Sequence, residues 1–363
     1  MKTIAFYISD HGFGHIMRNI SVIAYVLEHT ENIILLVSGN AHIAAAKEYI
    51  EKYTNAENLN KRFITIEQHT DIGFALQSGT LLVDWTETEK RVREYISEFP
   101  KYIKNAREIF RKYKVDTVVC DIVPWALTAA GEEGLPSYLM ASFTWVEQYE
   151  QDLPPELVKE YRKAYDSADN VILYGLHTPF AENTFKNCYK VSLCARTFHS
   201  DKVREIIERY GDKPIVFISI GMSNDGIKGI IDVSDLPYSF IVTEGVNLTG
   251  ENVHKISKTI DNTQDYVMAS DYCIAKAGWT TISEILIAKK PMALLSRPDV
   301  AEDSMYIEKL INENLAVEIT VEELRNISDV LNRIKNITQS QNNYQDDTDK
   351  IADIICSNVV KCI

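Results

Sequence analysis

The feature that most constrains this chain is a short apolar run that stops at a glycine-bearing loop and then changes period. Ile4 to Ile8 is continuously apolar or aromatic and ends at Ser9-Asp10. A bounded run of that length reads as a strand buried on both faces. From His15 onward Ile16, Ile20, Ile23, Ala24 and Leu27 recur at i, i+4, i+7, i+8 and i+11, which is one face of a helix. A buried strand feeding a helix through glycines is the opening of a βαβ unit.

The pattern recurs. Ile33 to Val37, Phe63 to Ile66 and Thr117 to Cys120 read as further buried strands, and Thr86 to Lys114 reads as helical with a break or kink near Pro100. In the second half, Pro214 to Ile220, Phe240 to Thr243, Tyr272 to Ala275 and Met292 to Ser296 repeat that logic. These strands predict two doubly wound α/β domains, with parallel sheets and ligands at the carboxyl ends of the strands. The charged stretch from Asp201 to Lys213 is the expected linker. That places an N-terminal domain at 1–200 and a second at 201–345. The segment 346–363, with Ile351, Ile354, Ile355 and Val359 on one stripe, is expected to form a closing helix that packs back toward the first domain.

Composition narrows the function classes. At 363 residues the chain is long enough for two domains that each bury a core without disulfides or metals. With 45% hydrophobic and 25% charged residues, disorder, collagen and coiled coil are excluded for the bulk of the chain. The 38 Lys and Arg stand against 52 Asp and Glu, and a net charge of −14 repels nucleic acid and anionic lipid. Cys120, Cys188, Cys194, Cys273, Cys356 and Cys362 show neither a CxxC pair nor zinc spacing, so they read as reduced thiols. No run approaches the roughly 20 apolar residues of a membrane span, nor the apolar core of a signal peptide. The expected location is the cytoplasm.

Two strand-to-helix loops carry the chemistry. In His11-Gly12-Phe13-Gly14-His15, the glycines let backbone approach a ligand and the helix N-terminus favours negative charge. The dinucleotide fingerprint fails, because Met17 stands where the third glycine belongs. A bland reading makes Gly12 and Gly14 turn residues and His15 a capping or packed histidine. Against it stands Asp121, which closes a later strand of the same half, where strand ends converge on one edge. A histidine held by a carboxylate has a fixed tautomer and is a competent general base. Alone, Asp121 also fits a helix N-cap or a salt bridge.

The second loop is Lys276-Ala277-Gly278-Trp279-Thr280-Thr281. Thr281-Ile282-Ser283-Glu284 matches a capping box, in which Glu284 bonds back to the Thr281 backbone. The functional alternative places a diphosphate at this helix N-terminus beside Lys276 and the threonine hydroxyls, with Glu284 accepting from ribose hydroxyls. Gly221-Met222-Ser223 offers a further close-approach turn. The one DxD-like string, Asp347-Thr348-Asp349, lies in the polar tail and reads as a solvated acidic stretch. No metal is expected.

With these segments in hand, most of the chain resembles the GT-B glycosyltransferases, a fold of two facing Rossmann-like domains. The first loop with its helix, and KAGWTTISEILIAKKPMALL, resemble segments of the murein N-acetylglucosaminyltransferase of lipid II synthesis. VVCDIVPWA resembles the segment of plant and macrolide glycosyltransferases that carries an aspartate paired with an N-terminal histidine, here Asp121 and His15. HGFGHIMR, CDIVPWA, ASFTW and KAGWTTISE resemble the N-terminal region of plant L-arabinokinase. The GHIMR segment is also similar to that of the nucleotide-sugar hydrolases of pseudaminic acid synthesis. The lipid II enzyme carries glutamines where this chain has Ala301-Glu302-Asp303-Ser304.

The resemblance implies an inverting, metal-independent transfer of a sugar from a UDP-linked donor to an unidentified acceptor hydroxyl, with His15 as base and Asp121 stabilising its cation. It implies no resident cofactor. Gly12, Gly14, Gly221, Ser223, Lys276, Gly278, Trp279, Thr280, Thr281 and Glu284 would hold the nucleotide sugar. Phe143, Trp145, Glu302 and Asp303 would line the acceptor or sugar pocket. Nucleotide-sugar hydrolysis by the same base, and a non-catalytic sugar-binding module, remain as alternatives.

Overall fold

The computed structural model describes residues 1–78, 82–179, 184–185, 188–220, 229–243, 246–257, 260–297 and 300–357. The chain forms two compact units. The first takes Met1–Ala75, Asp84–Cys194 and the chain from Asp346 on; the second takes Leu76–Val83 and Ala195–Gln345.

The first unit is built on a parallel sheet of seven strands: β1 (Thr3–Ile8), β2 (Ile33–Ser38), β3 (Phe63–Glu67), β4 (Thr117–Asp121), β5 (Ser137–Ala141), β6 (Asn170–Leu173) and β7 (Cys188–Lys190), in the order β3-β2-β1-β4-β5-β6-β7. Strands β1, β4, β5 and β6 are buried along their whole length, as expected of a parallel sheet covered on both faces. The order reverses between β1 and β4, whose register pairs Ile8 with Asp121. Loops diverge at such a switch point and leave a crevice beyond the strand ends. Both β1 and β4 end there.

The second unit repeats the plan with β8 (Ile215–Ser219), β10 (Ser239–Thr243), β12 (Val253–Ile256), β13 (Tyr272–Lys276), β14 (Met292–Leu295) and β15 (Ala316–Ile319), all parallel in the order β12-β10-β8-β13-β14-β15. A short parallel pair, β9 (Ile231–Asp232) with β11 (Leu248–Thr249), stands beside it. Here the switch point lies between β8 and β13, so Lys276 closes one of its two flanking strands.

Several local expectations need correction. The stretch from Asp201 to Lys213 is not a linker, because Ser200–Tyr210 is a helix of the second unit. Its charge belongs to a solvated face, and Ile206 is the residue that it buries. The chain passes between units at Cys194 and Ala195 instead. The helix Trp85–Tyr113 runs through Pro100 without a break. Pro100 faces solvent, where water can satisfy the carbonyl it leaves free, while Val92, Tyr95, Phe99, Ala106 and Phe110 anchor both sides. Asp347 is not solvated either. It is buried, and its carboxylate accepts the Ser192 amide at 2.6 Å. The helix that follows, Thr348–Ser357, buries Ile351, Ala352 and Ile355 within the first unit.

Candidate active site

Helix α1 (Phe13–His29) starts directly after the first loop with Gly12 as its N-cap, at φ +78°. That backbone conformation favours glycine and explains why the turn carries one. Gly14 needs no such freedom. The first buried residue of α1 is His15, with Arg18 and Asn19 at i+3 and i+4 on the same face.

Those three side chains converge on Asp121. The His15 Nδ1 lies 2.8 Å from Asp121 Oδ1, and the Arg18 Nε donates to Oδ2 at 2.5 Å. The Arg18 Nη2 also donates to Oδ1, and the Asn19 amide donates to Oδ2. Arg18 continues through Nη1 to the Ser142 hydroxyl at 3.0 Å. Asp121 is 0%, Arg18 2% and His15 9% exposed. Among the described residues, the His15 Nε2 has no hydrogen-bond partner, so the ring nitrogen remote from Asp121 is the one left for a ligand.

Charge follows from this packing. Burial disfavours a charged imidazole at His15 and Arg18 adds to that, while Asp121 opposes both; the net effect lowers the pKa and keeps the ring neutral at pH 7. Burial would also push the Asp121 carboxyl up, but the neighbouring Arg18 and His15 outweigh it and hold it well below the usual range. A neutral imidazole with a carboxylate on one nitrogen and an open second nitrogen can take a proton.

A second carboxylate shares this edge. Asp71 is buried, accepting the Ser9 hydroxyl at 2.6 Å, the Trp145 indole N–H at 2.8 Å and the Ile72 amide at 2.8 Å. Burial dominates those bonds and raises its pKa to about 6. The neighbouring Asp10 accepts from His69, Thr70 and Asp71, which ties the 69–71 loop to the first one. Gly73, at φ +56°, brings its backbone so close to His11 that a Cβ would lie 2.0 Å from the imidazole.

Phe143 and Trp145 stand behind the base. Both are buried, the Phe143 ring centroid lying 6.0 Å from that of His15, and Trp145 stacks on Tyr149 at 5.0 Å. They back the site as a wall. Thr144 and Glu147 between them form a capping box that fixes the short helix Trp145–Tyr149.

In the second unit the helix Trp279–Ile287 begins at Gly278, which is the N-cap. Thr281 is therefore inside the helix, and the expected capping box with Glu284 does not form. Both Glu284 oxygens accept instead from Arg196, at 2.8 and 3.2 Å, and Arg196 also donates to the Asp261 carbonyl and the Thr263 hydroxyl. A ribose diol at Glu284 would have to share or displace that guanidinium. A Cβ built on Gly278 meets nothing within 4 Å, so open space adjoins this N-terminus.

Lys276 sits beside it with its pKa lowered, chiefly by burial and next by Arg297. Arg297 in turn holds Glu302 at 3.2 Å and Asp303 at 2.7 Å, so both carboxylates are already engaged by a cation. Gly221 and Ser223 lie outside the described residues. Among the described residues, no three His, Cys, Asp or Glu are grouped to hold a metal, and no helix is long and apolar enough to cross a membrane.

Sequence reasoning thus brought His15 to Asp121 and missed Arg18, Asn19, Asp71, Arg196 and Arg297. For Arg18 and Asn19 the signal was present, since i+3 and i+4 from a candidate base place donors on its face.

Residues 238–356 match the glycosyltransferase family 28 C-terminal domain. The chain is 24% identical to the L-arabinokinase of Arabidopsis thaliana over 321 residues, covering 85% of this chain and 29% of that protein. In fold it is similar to CalG4, the calicheamicin glycosyltransferase, at a TM-score of 0.62 and 15% identity over 97% of each chain. It is also similar to MurG of Acinetobacter baumannii, at a TM-score of 0.58 and 12% identity over 98% of this chain and 99% of the other. The chain has the GT-B fold, and its stretch 238–356 is similar to the glycosyltransferase family 28 C-terminal domain.

Proposed function

We propose that this protein is an inverting, metal-independent glycosyltransferase that moves a sugar from a nucleoside diphosphate sugar, UDP-linked, to an acceptor hydroxyl. The observation that carries the reading is His15: a neutral, nearly buried imidazole with Nδ1 on Asp121 and Nε2 open, at the switch point of a parallel sheet. In this account Nε2 takes the acceptor proton as that oxygen attacks the anomeric carbon. The nucleoside diphosphate leaves from the opposite face, and the configuration inverts. Asp121 then holds the imidazolium.

The donor belongs to the second unit. The Gly278 N-cap turns the positive end of a helix dipole toward open space, with Lys276 adding a cation beside it. Those groups can offset the charge on the leaving diphosphate without a metal. Thr280 and Thr281, in the first turn, supply hydroxyls to the same anion, and Trp279 fixes the start of the helix by its burial. Glu284, Glu302 and Asp303 act through Arg196 and Arg297, the cations they hold, and orient these toward the donor.

The experiment is a panel of nucleotide sugars incubated with and without hydroxyl acceptors, with product anomer and free sugar both read. Acceptor-dependent formation of an inverted glycoside supports the transferase. Free sugar released at a rate independent of any acceptor supports hydrolysis by the same base and overturns transfer. Turnover abolished by EDTA and restored by manganese overturns metal independence.

A further inference from the structure

Asp121 receives more donors than the orientation of one histidine requires. An ionised carboxylate offers about four lone-pair sites. Here His15 Nδ1 and Arg18 Nη2 meet Oδ1, while Arg18 Nε and the Asn19 amide meet Oδ2. All four are filled. Arg18 itself is held on two further sides. Its Nη1 donates to the Ser142 hydroxyl at 3.0 Å, and its guanidinium lies 5.6 Å over the Tyr174 ring.

Two consequences follow from this arrangement. The carboxylate cannot rotate without breaking a fork of two parallel Arg18 bonds, a geometry that a planar guanidinium supplies and an ammonium does not. Arg18 also cancels the Asp121 charge. A bare histidine–carboxylate pair passes from −1 to neutral on taking a proton, whereas this cluster passes from neutral to +1. The charged or titratable groups that face His15 are Asp121 on β4, Arg18 on its own helix and His42 on the helix Asn40–Tyr53.

We propose that Arg18 is the positioning residue of the base: by occupying one site on each oxygen of Asp121 it leaves a single site on Oδ1 for the His15 Nδ1–H, which fixes the tautomer with Nε2 open, and it neutralises the carboxylate beside the imidazole. The role rests on reading His15 as the base, but its test does not require turnover. Asn19 completes the clamp from the second oxygen.

The experiment is a pH titration of the His15 ring nitrogens by NMR in the full chain, for wild type, Arg18→Gln and Arg18→Lys, with the acid limb of the rate profile recorded alongside. Wild type should hold a single Nδ1–H tautomer. In Arg18→Gln the Asp121 charge is uncovered, so the His15 midpoint should rise by about one pH unit, a roughly tenfold gain in proton affinity. The acid limb of turnover should move with it. Arg18→Lys keeps the cation without the fork, so its midpoint should stay near wild type while the single tautomer gives way to a mixture. A folded Arg18→Gln protein with an unchanged midpoint overturns the charge role. Retention of the single tautomer in Arg18→Lys overturns the clamp, and that variant decides alone if Arg18→Gln does not fold. Absence of turnover with every donor sinks the proposed function and leaves this titration intact.

Discussion

Replacing Asp121 by Asn tests how much of the first unit hangs on one buried carboxylate. Asn keeps the shape but removes the charge and exchanges one acceptor oxygen for an NH2 group. Of the four donors that meet Asp121, the remaining oxygen can serve two. The other two then face an amide that itself donates. Arg18 is 2% exposed, so its guanidinium keeps its charge with no counter-ion and little access to water. Breaking a buried pair from one side typically costs about 3–5 kcal/mol. Against a typical domain stability of about 5–15 kcal/mol, that is about a fifth of the total or more. Urea unfolding followed by tryptophan fluorescence suits the measurement, because Trp85, Trp125 and Trp145 all lie in the first unit. The midpoint should fall sharply with little change in slope. A double variant, Arg18→Met with Asp121→Leu, removes both charges and should lose less than Asp121→Asn alone. A loss below about 1 kcal/mol for Asp121→Asn, or a double variant worse than the single, would refute the reasoning.

The remaining predictions concern the surrounding groups. The Asp71 carboxyl titrates near 6 when folded against 3.8 as the ordinary value, so the folded state retains a proton that the unfolded chain releases between those values. Stability should therefore fall as pH rises from about 4 to 6, by roughly 3 kcal/mol in total, and Asp71→Asn should flatten that part of the curve. Gly73→Ala and Gly12→Ala both place a side chain at positive φ, for about 1–2 kcal/mol each, but only at Gly73 does the new Cβ strike a ring, that of His11. Chemical denaturation should thus rank Gly73→Ala as clearly the more damaging. Lys276→Ala should weaken UDP binding roughly 10- to 100-fold by calorimetry, the worth of one charge-assisted bond; unchanged affinity would remove Lys276 from the donor site.

Much of the fold could be read from the chain because buried parallel strands are written as continuous apolar runs. β1, β2, β4, β8, β13 and α1 fall within a residue or two of the periodicity that announces them. The meeting of His15 and Asp121 was legible for the same reason, since one opens the helix after β1, the other closes β4, and both strand ends share an edge. What escaped is long-range and polar. Asp71 lies in an aperiodic loop and is drawn to the site by Ser9 and Trp145, 62 and 74 residues away. Arg196 reaches Glu284 across 88 residues, so a local capping box was the reading that spacing favoured over an ion pair. Asp201 to Lys213 misled because charge density marks solvated helix faces as well as linkers. Arg18 was hidden differently. A cation in a helix ordinarily faces water, and only the depth of Asp121 beside it turns the side chain inward.

The central claim is that His15 Nε2 takes the acceptor proton. The most direct measurement is the steady-state rate of His15→Ala against wild type on the donor and acceptor found active, with donor affinity measured on the same preparations. General-base catalysis is worth about 10²–10⁴-fold, so kcat should fall by that factor while donor affinity changes less than about twofold. A His15→Ala protein that turns over at the wild-type rate would contradict the account.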